Sequence, residues 1–208
     1  MNHSKIFRFV GMAMLTALVV VLQVLGGSIS VGSFSITLVL IPVVIGAVLY
    51  GPACGAFLGT VFGVITYINC ASGTDVGGNM VFVANPVLCA LVCIGKGAGA
   101  GFCTGLVYKC LAGFALRPEV PVYDRGEKEY LCVLASAVVA PIVNTGLFCV
   151  GMLLFFMETL SAWAAGTPTL QYIIFGLTGV NFLIELGINV ICAPALVTII
   201  RTIRKNMK

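Results

Sequence analysis

Four polar side chains interrupt long apolar runs in this chain: Lys96, Asn144, Asn181 and Glu185. A charge near the centre of a bilayer costs at least ~2.5–3.5 kcal/mol on insertion scales, so a lysine and a glutamate placed there must face the protein interior and find partners. Asn181, Glu185 and Asn189 follow one another at i, i+4 and i+8 and so share one face of a helix. Asn144 and Thr145 stand in a different run, just after Pro141, while Asn79 and Asn85 precede the run that holds Lys96. Amides, a hydroxyl and one or two charges at similar depth are the groups that hold a small polar ligand. They could equally lock the fold, with Lys96 paired to Glu185 and the asparagines bonded between helices. The two readings are compatible, because a pair that is neutral when empty can open to ligand groups.

Other chemistry finds no footing. The one Gly-Lys, Gly95-Lys96, is followed by Gly97 and lacks the upstream glycine of a Walker A loop. The single histidine, His3, lies in the N-terminal tail, so no His-Glu-x-x-His zinc motif exists, and no Gly-x-Ser-x-Gly elbow is present. The chain is not expected to be an enzyme, and ATP-driven transport would need a motor on another protein. Cys89 and Cys93 lie one turn apart, but no histidine or acid near them in sequence completes a metal site. The nine cysteines are therefore expected to be free thiols serving as small apolar residues, with no metal and no cofactor.

These residues must be positioned by membrane-spanning helices. Hydrophobic residues make up 60% of the 208 and charged residues 9%, against roughly a quarter charged in soluble domains. Lipid requires every backbone polar group to be paired internally, and continuous apolar runs without alternation select helices over a barrel. The sequence predicts an all-α integral membrane protein, a single bundle of six spans at about 6–25, 34–49, 52–70, 86–116, 130–157 and 173–200. The second is short, since about 16 residues rise only ~24 Å against a ~30 Å hydrocarbon core. Tyr50-Gly51-Pro52 reads as a tight turn before the third span. The first run exceeds a signal-peptide core and has no small-x-small site after it, so it is read as a retained span.

Charge sets the orientation. Of eleven Lys and Arg, ten (Lys5, Arg8, Lys109, Arg117, Arg125, Lys128, Arg201, Arg204, Lys205 and Lys208) fall on one side of this topology, and Lys96 falls within it. Positive residues near span ends stay in the cytoplasm, which predicts cytoplasmic termini and a cytoplasmic 117–128 linker. The loops at 71–85 and 158–172 carry Asp75 and Glu158 but no cation, and are expected outside. The net charge of +4 forms no basic patch interleaved with aromatics, so no nucleic-acid partner is implied. Gly51, Gly55, Gly59 and Gly63, and Gly97, Gly101 and Gly105, recur every four residues, as close helix packing in lipid demands; Ala13 and Ala17 make a shorter version.

Three stretches carry a family likeness: Ala13-Met14-Leu15-Thr16-Ala17; Ile41-Pro42-Val43-Val44-Ile45-Gly46 through Gly51-Pro52 to Gly55-Ala56-Phe57-Leu58-Gly59; and Ala140-Pro141-Ile142-Val143-Asn144-Thr145-Gly146-Leu147-Phe148. With six short helices and a polar cluster in the outer half, the chain resembles the substrate-binding S component of energy-coupling factor (ECF) transporters of prokaryotes. The first stretch resembles the Ala-x-x-x-Ala motif that contacts a transmembrane T component, and the third is similar to S components assigned to pantothenate. The resemblance implies a multi-pass protein of the prokaryotic plasma membrane. Such a protein captures a vitamin from outside and delivers it by toppling, when engaged by the T component and two cytosolic ATPases. It also implies that Lys96 would suit a carboxylate-bearing vitamin, and Asn144, Asn181 and Glu185 its hydroxyls and amide. No lysine stands near Asn181 as expected of a riboflavin site, and the outer loops lack the aromatic density of a thiamin site; Trp163 is the only tryptophan. Pantothenate leads, with riboflavin or another B vitamin as alternatives. A self-contained secondary transporter or channel is disfavoured by the lack of an inverted repeat of broken helices, and a purely structural membrane protein remains the remaining class.

Overall fold

The apolar runs fold as helices, as lipid demands of a backbone with no water to bond to. A computed structural model of the protein describes residues 3–26, 30–31, 34–35, 38–116, 122–164, 168, 171–173 and 178–206. The helices are α1 (His3–Gly26), α2 (Leu40–Tyr50), α3 (Pro52–Ser72), α4 (Val76–Ala84), α5 (Pro86–Ala115), α6 (Val122–Phe155), α7 (Met157–Ala164) and α8 (Gly179–Asn206). Between α1 and α2, β1 (Ser30–Val31) pairs antiparallel with β2 (Phe34–Ser35). Five helices are long and apolar enough to cross a membrane: Ile6–Gly26, Pro52–Ser72, Pro86–Ala115, Gly126–Phe155 and Asn181–Lys205. Their outward faces carry apolar residues such as Phe9, Val87 and Ile191, each at least 74% exposed in the isolated chain, as a lipid-facing surface requires.

The second run differs from the expected helix beginning at Phe34. Phe34 and Ser35 form β2, and helix starts only at Leu40. Eleven residues rise ~16 Å, about half of the ~30 Å core, so α2 is a half-length element. Almost every residue of α2 is buried, which lets it sit inside the bundle. The loops expected at 71–85 and 158–172 are also partly helical, as α4 and α7. Helix α6 starts at Val122 rather than near Tyr130, and Tyr172, Ile173 and Thr178 ahead of α8 are in π-helical turns. Arg117, Pro118, Pro121 and Lys208 lie outside the described residues.

Local signals set the boundaries. Gly51 turns the chain from α2 into α3 at φ +97°, a conformation that side chains disfavour, and Pro52 occupies the first turn of α3. Gly73 ends α3 in the left-handed conformation. Asn85 caps α5, its Oδ1 accepting from the amides of Val87 and Leu88, both at 3.1 Å.

Helices α3 and α5 form the closest pair, and glycine is the reason. Gly59 meets the Gly97 backbone, Gly55 meets that of Gly101, and Gly63 meets that of Cys93. A β-carbon on Gly63 would stand 2.5 Å from the Cys93 carbonyl oxygen, and one on Gly105 2.6 Å from Pro52 Cα. No side chain fits there. Gly51, expected to continue the packing row, has open space around it and serves the turn instead.

One end of the bundle is tied by cations. Arg204 donates to Glu129 Oε1 at 2.9 Å, to the Tyr108 hydroxyl at 2.9 Å and to the Val48 carbonyl at 3.3 Å. Arg201 bonds Glu129 Oε2 at 2.8 Å, and Arg8 donates to the Tyr50 carbonyl at 2.8 Å. The start of α1, the α2–α3 turn and the end of α8 therefore share this end.

Candidate ligand-binding site

A cavity of about 620 Å³, its open mouth included, lies towards the other end. Helix α5 brings Lys96 to it, ~15 Å below Pro86 by helical rise. Helix α6 contributes Asn144, Thr145 and Phe148, in the turns after Pro141, whose missing N–H loosens the helix there. Helix α8 contributes Asn181 and Glu185, one turn apart on the predicted stripe, together with Phe182. Asn189 continues that stripe below the cavity, its side-chain amide donating to the Glu185 carbonyl at 2.8 Å. Five sequence-predicted site residues thus line one space: Lys96, Asn144, Thr145, Asn181 and Glu185.

Asn79 and Asn85 are placed differently, and neither lines the cavity. Asn79 donates to the Cys70 carbonyl at 2.9 Å, closing the end of α3, and Asn85 caps α5. Ala13 and Ala17 lie on an exposed face of α1, away from the bundle.

The cavity is polar where it is deepest. Asn144 and Glu185 are each 4% exposed. Asn144 Oδ1 is buried with no hydrogen-bond partner among the described residues. An orphan of this kind costs ~1–3 kcal/mol, so it is left to a ligand or to water. The Lys96 ammonium lies 4.9 Å from the Phe148 ring centroid and 6.0 Å from that of Phe62, within reach of their negative faces. Two rings and a charge give a wall that is apolar and cationic at once.

Several lining residues escaped the sequence reading. Asp75 stands beyond the end of α3, and its carboxyl is raised above the ordinary range by burial, against the pull of the Lys96 charge. Gln23 comes from α1, its amide donating to the Thr66 hydroxyl at 3.2 Å, and Asn69 and Thr178 complete the polar rim. Gln23 was visible as a strongly polar residue in the first apolar run. Nothing in the sequence places Thr66 or Asp75 beside Lys96, because those contacts join different helices.

A bundle with an apolar exterior and a ligand-sized, polar, half-open cavity is a membrane protein built to hold a small solute. The sequence matches the family described as ECF transporter, substrate-specific component, over residues 7–197, and the chain belongs to that family. Members are transporter components rather than enzymes, and they bind a small vitamin and work with a T component and ATPases. A comparison with curated proteins finds no match.

Proposed function

We propose that this protein captures a small water-soluble vitamin in the cavity between α1, α3, α5, α6 and α8. It then hands the vitamin inward when engaged by a T component and two cytosolic ATPases in a prokaryotic plasma membrane. The observation that carries this reading is the convergence of Lys96, Asn144, Thr145, Asn181 and Glu185, from three helices, on one ligand-sized space. The protein is read as one six-legged membrane unit, in which the short α2 and the strands before it form the second leg. The cation-tied end is cytoplasmic and the cavity opens outward. Ala13 and Ala17, on the exposed face of α1, serve as the contact for the T component.

Pantothenate is the favoured ligand. Its carboxylate suits the Lys96 ammonium, and its hydroxyls and amide suit Asn144, Thr145, Asn181 and Glu185, while Asn79 and Asn85 hold the helix ends that shape the mouth. One observation favours a second reading. Asp75 and Glu185 put two acids against one lysine, with Phe62, Phe148 and Phe182 on the walls, which suits riboflavin or another B vitamin with an aromatic ring.

Thermal unfolding of the detergent-purified protein with a panel of B vitamins tests both. A ligand that binds only the folded form adds ~2.7 kcal/mol at a hundredfold excess over Kd. Pantothenate is expected to give the largest upward shift. A larger shift with an aromatic vitamin would replace pantothenate, and no shift with any vitamin would remove the vitamin reading.

A further inference from the structure

Three of the cysteines meet in the outer half of the bundle: Cys70 near the end of α3, and Cys89 and Cys93 one turn apart on α5. All three are buried, and their Sγ atoms lie within 4.8 Å of one another. The glycine contact between α3 and α5 brings them together, since Gly63 packs on the Cys93 carbonyl. They line a second cavity of about 300 Å³ with Asp75 and Lys96, and those two residues also line the ligand cavity. Gly78 is what admits the carboxylate. A β-carbon there would stand 2.8 Å from Asp75 Oδ2 and would collide with the Cys70 thiol. Asp75 Oδ1 is buried with no hydrogen-bond partner among the described residues.

Thiols used as small apolar packing groups need neither a carboxylate beside them nor an ammonium on the same wall. Around a metal ion bound by three thiolates, an ammonium can offset the excess negative charge and a carboxylate can accept from a metal-bound water. A zinc–sulfur distance of ~2.3 Å sets sulfur–sulfur separations of about 3.8 Å in a tetrahedral site. The trio would therefore contract by about 1 Å at most, a side-chain adjustment.

We propose that Cys70, Cys89 and Cys93 form a binding site for one thiophilic divalent cation of the zinc class, at the inner wall of the outer cavity. Three S–H groups lose their protons to solvent as three metal–sulfur bonds form. The ion and three thiolates carry one net negative charge, which Lys96 on the shared wall offsets. A water takes the fourth position, and the unpartnered Asp75 oxygen accepts its hydrogen bond, as outer partners do at such sites. Because Lys96 and Asp75 belong to both cavities, the ion would couple to the ligand site.

Cadmium is the probe, because its thiolate complexes absorb in the ultraviolet. The full chain is purified in detergent in a form with Cys54, Cys103, Cys110, Cys132, Cys149 and Cys192 replaced by alanine or serine, then reduced and stripped with chelator. The expected result is a saturable absorption step at one cadmium per chain, reversed by chelator and competed by zinc, with three thiols protected from maleimide. Cys89→Ser and Cys93→Ser should each abolish the step or weaken it at least ~10-fold, and Asp75→Asn should weaken it roughly 10-fold. Should the substituted form fail to fold, Cys93→Ser in the otherwise native chain, compared with the exposed Cys110→Ser, gives the same readout. Absence of a one-per-chain step, or a step unchanged by Cys93→Ser, overturns the proposal. So does a Cys70 disulfide in the unreduced protein, which would make the trio a redox pair instead. No vitamin enters the measurement, so its outcome is separate from that of the vitamin panel.

Discussion

At the scale of single residues, asparagine plays two parts in this protein, and position alone separates them. Asn85 has both acceptor bonds filled by the amides of its own helix, so it contributes as a cap. Asn144 is buried on the cavity wall with its oxygen unfilled. Removing a cap costs typically ~1 kcal/mol of stability, whereas removing a ligand contact costs affinity and little else. Asn144→Ala is therefore expected to weaken vitamin binding at least ~10-fold, for which ~1.4 kcal/mol suffices, with the melting temperature of the ligand-free protein nearly unchanged. Lys96→Met should weaken an anionic vitamin more than a neutral one. Calorimetry on both folded variants checks this, and wild-type affinity in both would move the pocket elsewhere.

At the scale of elements, small residues appear on two helix faces with opposite consequences. Gly59 and Gly97 bring α3 and α5 backbones into contact, leaving no volume for a side chain. Ala13 and Ala17 are exposed on the outward face of α1. Gly59→Leu is expected to force the two helices apart at ~1–3 kcal/mol or more, lowering the melting temperature and vitamin binding together. Ala13→Leu with Ala17→Leu should leave both unchanged and abolish co-purification with the T component. Equal loss of binding and assembly in the alanine variant would place those two residues inside the bundle. The four-residue spacing was legible in the sequence for both faces. Which face met a helix of the same chain was not, because spacing records the stripe and not its partner.

At the scale of the whole molecule, Arg8, Arg201 and Arg204 gather where the helices end together, while Lys96 lines the cavity. Arg8, Arg201 and Arg204 all bond main-chain carbonyls or Glu129 at that end, and the cavity lies towards the other. Such a distribution fits retention of positive residues in the cytoplasm. In a cysteine-free background, a single cysteine at Trp163 is expected to react with an impermeant maleimide in intact cells, and one at Arg125 only after lysis. The reverse pattern would invert the topology and turn the cavity inward.

The class of molecule followed from composition and charge order. A chain 60% apolar with its cations sorted to span ends has no folded state in water that hides its apolar surface, and in lipid a helix is what pairs its backbone. The long spans, the Tyr50-Gly51-Pro52 turn and the glycine rows were legible for that reason. The second leg was not, because the short polar residues Ser35 and Thr37 leave the run from Phe34 apolar enough on average to read as one span, although helix starts only at Leu40. The site was half legible. Lys96, Asn144, Asn181 and Glu185 announced themselves by the cost of burying polar groups in lipid, whichever partner they meet. What only the tertiary structure decided is who those partners are. The rotation and axial offset of α3 against α5 are set by interhelical contact, and that offset brings Cys70 to Cys89 and Cys93. Asp75 reaches Lys96 by the same packing, across a separation in sequence that no local pattern encodes.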